Sequence, residues 1–259
     1  KNFIKVSVIT PTYNSEKTIQ RTIDSVINQN FSDIEHIIID GGSTDKTLEI
    51  ITKNNGKISK FISEKDKGIY NAINKGISLA TGDIIGILNS DDLLANEKII
   101  SKIVSCFEET NCDLVYGDIV YQTKDEKSPK IVRYWKSNVF KNNCLKYGWM
   151  PPHPSIYCKR EIYQQYGVYD EELNISADYD FVLRIFKNSN LKKEYLPEIF
   201  VKMNIGGESN KSLKNIFIKS KEDYLAIKRN NTGNFMTVLF KNLRKVRQFN
   251  KFRNSKISC

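Results

Sequence analysis

Ile37-Ile-Ile-Asp-Gly-Gly-Ser-Thr-Asp45 and Ile87-Leu-Asn-Ser-Asp-Asp92 are two apolar runs that each stop abruptly at carboxylates. Each reads as a buried strand, and in an open α/β sheet ligands gather at the carboxyl ends of strands. Both acidic groups are thereby delivered to one crevice. A crevice with one carboxylate for a base edge and another for a cation suits a metal-bound nucleotide.

Strand-like and helix-like patterns alternate around these stretches through the first 117 residues. Residues 5–10, 34–40, 58–63, 83–88 and 114–116 read as strands. Between them, 16–28 places Ile19, Ile23, Val26 and Ile27 on one helical face, with Ser15 as N-cap. Residues 46–53 follow a Ser-Thr-Asp capping stretch. Residues 69–80 align Ile69, Ala72, Ile73, Ile77 and Ala80, with Gly82 just past the end, and 96–110 repeats the pattern with Ile99, Ile100, Ile103, Val104 and Phe107. Such alternation predicts right-handed crossovers and an α/β fold, a Rossmann-like, mostly parallel sheet flanked by helices.

The regularity ends near Gly117. Residues 119–123 and 131–134 predict a hairpin, and 135–155 is irregular, with three of the six prolines in Trp149-Met-Pro-Pro-His-Pro154. Strands at 156–159 and 194–201, a short helix and a helix at 177–187 complete a smaller acceptor-side region. Residues 213–229 and 235–249 read as amphipathic helices. The expected organisation is a nucleotide-binding half over 1–117, an acceptor-binding part of the same domain over 118–210, and a basic helical tail over 211–259.

Charge separates tail from body. The net charge is +10, yet residues 211–259 hold thirteen Lys/Arg against Glu222 and Asp223, leaving 27 basic and 28 acidic side chains before them. The body is therefore no general polyanion binder, and no nucleic-acid module is visible. The tail suits an anionic membrane surface, with packing on the core as the plainer alternative. Five cysteines without a CxxC pair indicate neither a disulfide framework nor a zinc site, and fit a reducing cytoplasm. No apolar run approaches the roughly 18 residues of a membrane span, and Lys1–Phe3 leads into a strand without a secretory pattern. The expected location is cytoplasmic, peripheral at the inner face of the cell membrane.

The chemistry-bearing residues follow. In Val8-Ile-Thr-Pro-Thr-Tyr-Asn14, Tyr13 offers a platform for a base, with Pro11 and Thr12 shaping backbone contacts, although a strand-to-helix turn needs no such role. Asp40 is placed to accept the N3–H of uracil or thymine, with Gly41 and Gly42 allowing close approach. Thr44 and Asp45 are better placed to cap the next helix, which leaves Asp40 without an obvious structural duty. Asn89-Ser90-Asp91-Asp92 supplies oxygen ligands suited to Mg²⁺ or Mn²⁺. Successive residues of extended backbone point opposite ways, so Asp91 is the expected metal ligand and Asp92 orients or caps. Asp178 and Asp180 are two apart on a helix and cannot face one site. Asp180 pairs with Arg184 four residues on, leaving Asp178 as the general-base candidate. His153 is placed to contact the acceptor, a diphosphate or the metal, or to be a backbone-held loop histidine. His36 alternates with isoleucines and reads as structural.

Together these motifs resemble the inverting glycosyltransferases of family 2, with the GT-A fold, and among them enzymes of bacterial exopolysaccharide and O-antigen assembly of the colanic-acid-transferase type. The resemblance covers about residues 5–205 and rests on Ile9-Thr-Pro-Thr-Tyr-Asn14, Ile39-Asp-Gly-Gly-Ser-Thr-Asp45, the 63–76 stretch, Thr81-Gly-Asp83, Leu88-Asn-Ser-Asp-Asp92 and Ala177-Asp-Tyr-Asp-Phe-Val-Leu-Arg184. It implies uridine contacts from Pro11, Thr12, Tyr13 and Asp40, and donor contacts along Asp66–Asn74, with Asp66 and Asn74 at its ends. It places Asn89, Ser90 and Asp91 in the DxD position, with Asp91 on Mn²⁺ or Mg²⁺, and makes Asp178 the catalytic aspartate. Two positions depart from the family pattern: Asn89 stands where the first DxD acid is expected, and Ala177 where a glutamate precedes the base. The implied partners are a UDP-sugar donor and a glycan acceptor, lipid-linked at an anionic membrane surface, with no nucleic acid. A noncatalytic nucleotide-binding or membrane-surface adaptor of the same fold is the alternative. A nucleotidyltransferase would want a glycine-rich, basic phosphate loop after the first strand, which Thr10–Asn14 is not.

Overall fold

Runs of isoleucine and valine, stiff at χ1 and suited to a pleated surface, form the centre of a sheet of nine strands among the described residues. The computed structural model describes residues 4–123, 125, 128–205 and 213–252. The strands are β1 (Val6–Thr12), β2 (Ile34–Asp40), β3 (Lys60–Ser63), β4 (Ile84–Ile87), β5 (Leu93–Leu94), β6 (Leu114–Gln122), β7 (Ile131–Trp135), β8 (Ile156–Lys159) and β9 (Lys193–Asn204). The helices are α1 (Ile19–Ile27), α2 (Thr47–Lys53), α3 (Ile69–Leu79), α4 (Ile99–Thr110), α5 (Arg160–Tyr166), α6 (Ala177–Phe186), α7 (Leu213–Asn230) and α8 (Phe235–Phe252).

The sheet order is β3-β2-β1-β4-β8-β6-β9-β5, with β7 beside β6. The first four strands are mutually parallel. Because β8 is antiparallel to both β4 and β6, and β9 is parallel to β6, strands β6 and β9 point the same way as the first four. The carboxyl ends of β1, β2, β3 and β4 therefore share one edge.

Side-chain alternation along β1 sorts the core into two layers. Val6 and Val8 pack with Ile99, Ile100, Ile103 and Phe107 of α4, while Ile9 joins Ala72, Ile73 and Ile77 of α3. β-branched residues weaken an isolated helix by a few tenths of a kcal/mol each. Burying each isoleucine of α4 returns about 1.5–3 kcal/mol, so packing rather than propensity makes that helix. His36 is buried with Nε2 3.0 Å from Thr10 Oγ1, and burial pushes it down to about 4, a neutral core histidine.

One helix start differs from the expectation. α1 begins at Ile19 rather than 16, and the Ser15 carbonyl, not its hydroxyl, receives the amides of Thr18 and Ile19. The Ser15 hydroxyl instead meets Ser90 Oγ at 2.8 Å, tying the ends of β1 and β4 together.

Tail helices α7 and α8 fold onto the body. α7 packs along α6, and α8 lies on β7 and the short turn Cys144–Tyr147. Gly148 has φ +67°, and a Cβ there would collide with the backbone nitrogen of Lys241, so the helix seats only against a glycine. The plainer alternative for the tail's charge pattern therefore holds for these helices. Lys211, Arg253 and Lys256 lie outside the described residues. No helix among the described residues is long and apolar enough to cross a membrane.

Candidate active site

The carboxyl edge of the sheet opens into a cavity of about 2030 Å³. One wall comes from strand ends. Pro11, Thr12 and Tyr13 leave β1, and Asn89, Ser90 and Asp91 leave β4, with Asp66 between β3 and α3. Asn14 turns the chain with φ 47°, a region asparagine tolerates, and locks the turn through Asn14 N–H to Ser43 Oγ (2.8 Å) and Thr44 N–H to its own Oδ1 (2.9 Å). The Tyr13 ring is left 62% exposed at this turn.

Asp40 lies beneath the cavity rather than on its wall. It is fully buried, and Oδ2 accepts from the amides of Gly42 (3.0 Å) and Ser43 (2.9 Å) and from Ser63 Oγ (2.7 Å), while Oδ1 accepts from Ser43 Oγ. The sequence left this carboxylate without a structural duty; the structure gives it one, bracing the turn that Gly42 makes at φ +83°. Asn74 is also off the wall. It ties α3 to the loop before α6, donating to Tyr169 O and Glu171 Oε1 (both 2.9 Å) and accepting from the Tyr169 amide. Asp66 is on the wall and accepts the Gly68 amide at 2.9 Å.

The Asp91 and Asp92 side chains separate as extended backbone requires. Asp91 is exposed to the cavity, and Asp92 is 1% exposed behind it. Burial first, then the charge of Asp91, push the Asp92 carboxyl well above the usual carboxylate range. Asn89 Nδ2 donates to Asp92 Oδ2 at 3.0 Å, and Asn89 Oδ1 is a buried oxygen with no hydrogen-bond partner. No group of three or more His, Cys, Asp or Glu side chains among the described residues is placed to hold a metal ion. The donors here, the Asp91 carboxylate, the orphaned Asn89 amide oxygen and the Ser90 hydroxyl, are all hard oxygens. They fit Mg²⁺ or Mn²⁺ completed by phosphate oxygens and water, not an all-protein cage.

Another wall carries Asp178 in the first turn of α6. Its side chain is 20% exposed, and Oδ2 lies 3.0 Å from His153 Nδ1. Oδ1 accepts the Tyr179 amide at 2.7 Å and has Tyr70 Oη at 3.4 Å, the tyrosine itself being held by Ile175 O at 2.8 Å. Burial raises the Asp178 carboxyl, but the hydrogen bond and charge of His153, then Lys241 and Lys219, outweigh it and hold it down to about 2. It is thus ionised at any working pH, as a proton acceptor must be. Asp180 points elsewhere, to Arg184 Nε (3.0 Å) and Asn230 Nδ2 (2.8 Å).

One cavity therefore joins Pro11, Thr12, Tyr13, Asp66, Asn89, Ser90, Asp91, His153 and Asp178, and omits Asp40, Asn74 and Asp92. The sequence missed the contribution of the tail: Lys219, Asp223, Lys241 and Lys245 also line it. The only local sign was the i,i+4 pair Lys219–Asp223.

The profile of glycosyl transferase family 2 matches residues 7–168. The chain belongs to this family. It is 30% identical over 218 residues to the PGL/p-HBAD biosynthesis glycosyltransferase of Mycobacterium tuberculosis, with 82% of each chain covered. Among solved structures it resembles S. aureus TarS 1–349 in complex with UDP-GlcNAc, at TM-score 0.69 and 19% identity over 98% of this chain and 76% of that one. It spans 46% of a longer TarS chain. It also resembles the mannosyltransferase PcManGT from Pyrobaculum calidifontis in complex with GDP-Man and Mn²⁺, at TM-score 0.63 and 16% identity over 87% of this chain and 64% of that one. These likenesses show the GT-A fold. The family 2 glycosyltransferase thus has the expected α/β architecture, and its cavity lies at the sheet edge where that architecture binds ligands.

Proposed function

We propose that this glycosyltransferase moves a sugar from a UDP-sugar to a hydroxyl of a glycan acceptor, with inversion, in bacterial surface polysaccharide synthesis. The observation that carries the reading is that two carboxylates from different elements, Asp91 after β4 and Asp178 on α6, line one cavity. A single displacement at the anomeric carbon needs a base on the acceptor side, and Asp178, ionised and oriented by His153, takes the hydroxyl proton there. Asp91, with Asn89 and Ser90, would hold Mn²⁺ or Mg²⁺ on the diphosphate side. When bound, that ion neutralises charge growing on the departing diphosphate. Tyr13 supplies a ring for the uracil, and Pro11 and Thr12 the adjoining backbone. Asp40 reaches the uracil N3–H only if the 41–43 turn shifts, since it is fully buried. TarS, solved with UDP-GlcNAc, supports uridine as the nucleoside.

The test is UDP binding by calorimetry with and without Mn²⁺, followed by a panel of UDP-sugars for hydrolysis. Mn²⁺ should tighten UDP at least tenfold, and Asp91→Asn should abolish that gain; UDP affinity indifferent to both would sink the metal-diphosphate reading. Binding without hydrolysis or transfer of any donor would favour the adaptor.

The acceptor in this reading is lipid-linked, at the cytoplasmic face of the membrane. Phe217 and Phe235 are 73% and 61% exposed, and Met236 and Leu239 are exposed nearby in sequence on α8. Such apolar side chains among a surplus of cations suit an anionic lipid surface. Phe217→Ser with Phe235→Ser should reduce cosedimentation with phosphatidylglycerol vesicles several-fold. Undiminished binding would remove this membrane role.

A further inference from the structure

Among the described residues, the wall beside Asp178 is cationic. β7, α7 and α8 bring Arg133, Lys219, Lys241 and Lys245 to it, against the carboxylates Asp178 and Asp223. Asp223 is 1% exposed and serves two ammoniums at once, Lys219 Nζ at 2.8 Å and Lys241 Nζ at 2.7 Å, as well as the Ser176 hydroxyl at 2.8 Å. Lys241 Nζ also stands 3.4 Å from the centre of the Tyr179 ring. One carboxylate cannot neutralise both lysines, and Asp178 is already engaged by His153.

The electrostatics of the neighbours are mixed, since burial of the Lys219 ammonium is outweighed by Asp223 and Asp178, which raise it. Burial, then Arg133 and Lys219, lower the Lys245 ammonium, so like charges crowd it. Burial lowers Lys241 to about 8 although Asp223 opposes the shift. Holding cations together in a partly dry cavity is costly unless an anion joins them, and such a wall concentrates anions from solution. Lysines bind phosphate as point charges. Lys241 stands over the ring of Tyr179, the residue after Asp178, so the cationic wall adjoins that carboxylate.

We propose that this wall seats a phosphate group of the acceptor, so that the accepted hydroxyl is presented to Asp178 from a phosphorylated molecule. The proposal rests on Asp178 being the base and narrows the acceptor class. The phosphate comes either from the link between a glycan and its lipid or from within the glycan, and the chemistry at the wall is the same.

The experiment titrates glycerol 1-phosphate into the full chain saturated with UDP and Mn²⁺, with glycerol and glucuronate as controls. Lys219→Gln and Lys241→Gln strip buried Asp223 of a partner and risk the fold, so Lys245→Gln is the decisive variant. Arg133→Gln stands beside it only where urea unfolding shows it intact, since Arg133 is itself buried over the Tyr121 and Trp135 rings. Each should weaken glycerol 1-phosphate about tenfold while UDP affinity stays within twofold. Equal binding by the variants, or glucuronate bound as tightly as the phosphate, overturns the proposal. A parallel loss of UDP affinity also overturns it, placing the wall on the donor diphosphate instead. Dihexanoyl phosphatidic acid binding tenfold tighter than glycerol 1-phosphate supports a lipid-link phosphate; equal binding supports one within the glycan. If Asp178→Asn transfers sugar normally while the phosphate titration still depends on Lys245, the base assignment has failed and the anion seat has not.

Discussion

Asp178→Asn should lower sugar transfer by about 10²–10⁴-fold, the usual worth of a positioned general base, while leaving UDP affinity within twofold. The amide keeps the shape and one acceptor oxygen but has no basic lone pair to offer. Urea unfolding of the variant separates catalysis from fold stability, since the side chain is only 20% exposed. A separate readout isolates His153. The hydrogen bond and charge of that imidazole are the main influences lowering the Asp178 carboxyl to about 2, against burial, which raises it. In His153→Ala the burial is still opposed by Lys241, Lys219 and the Tyr179 amide but no longer by the imidazole, so the carboxyl titrates at higher pH. Activity needs the ionised form, and the acid limb of kcat/KM should therefore move upward in the variant, while the wild type stays flat through the mildly acidic range. A uniform drop at every pH, with no movement of the limb, would mean that His153 only fills space. Normal transfer by Asp178→Asn would reject the base altogether.

How much of this was legible in the sequence depended on the range of the interactions involved. β2 and the faces of α3 and α4 were readable because Ile37, Ile73 and Ile103 repeat at the period of the element that buries them. The separation of Asp178 from Asp180 followed from helix geometry alone. Asp40 misled because its partners, Ser43 and Ser63, come together only once β3 pairs with β2. Ser15 was read as a cap because caps are local, and its hydroxyl was claimed by Ser90, 75 residues away. The tail was the largest omission. A run of cations carries no sign of what it packs against, and the contact of Lys241 with Asp223 crosses the turn between two helices. The dependence of α8 on Gly148 is likewise invisible until the two backbones meet.

That same tail carries the second large prediction, at Glu222. Its Oε1 accepts the amide of Asn174 at 3.0 Å, and Oε2 accepts those of Ile175 (2.8 Å) and Ser176 (3.0 Å). These amides form the turn leading into α6, whose N-terminus favours negative charge. The family pattern places a glutamate just before the base, and here that position is Ala177, which is fully buried. Glu222 holds the same turn from the neighbouring helix, and Asp223 adds the Ser176 hydroxyl. Glu222 is 6% exposed. Removing it strands buried donors at about 1–3 kcal/mol each, partly relieved by entering water, so Glu222→Ala should cost on the order of 3–5 kcal/mol. Glu222→Gln keeps only one accepting oxygen and should fall between. Urea unfolding gives the stability change, and kinetics on the folded fraction gives the rest. Because Asp178 is two residues beyond this turn, kcat should fall in Glu222→Gln while UDP affinity, which the proposed donor site assigns to the ends of β1 and β4, holds. A variant within about 0.5 kcal/mol of wild type, the range of an ordinary surface change, and with unchanged kcat would show that the opening of α6 stands without α7. The base would then owe its position to His153 and Tyr70 alone.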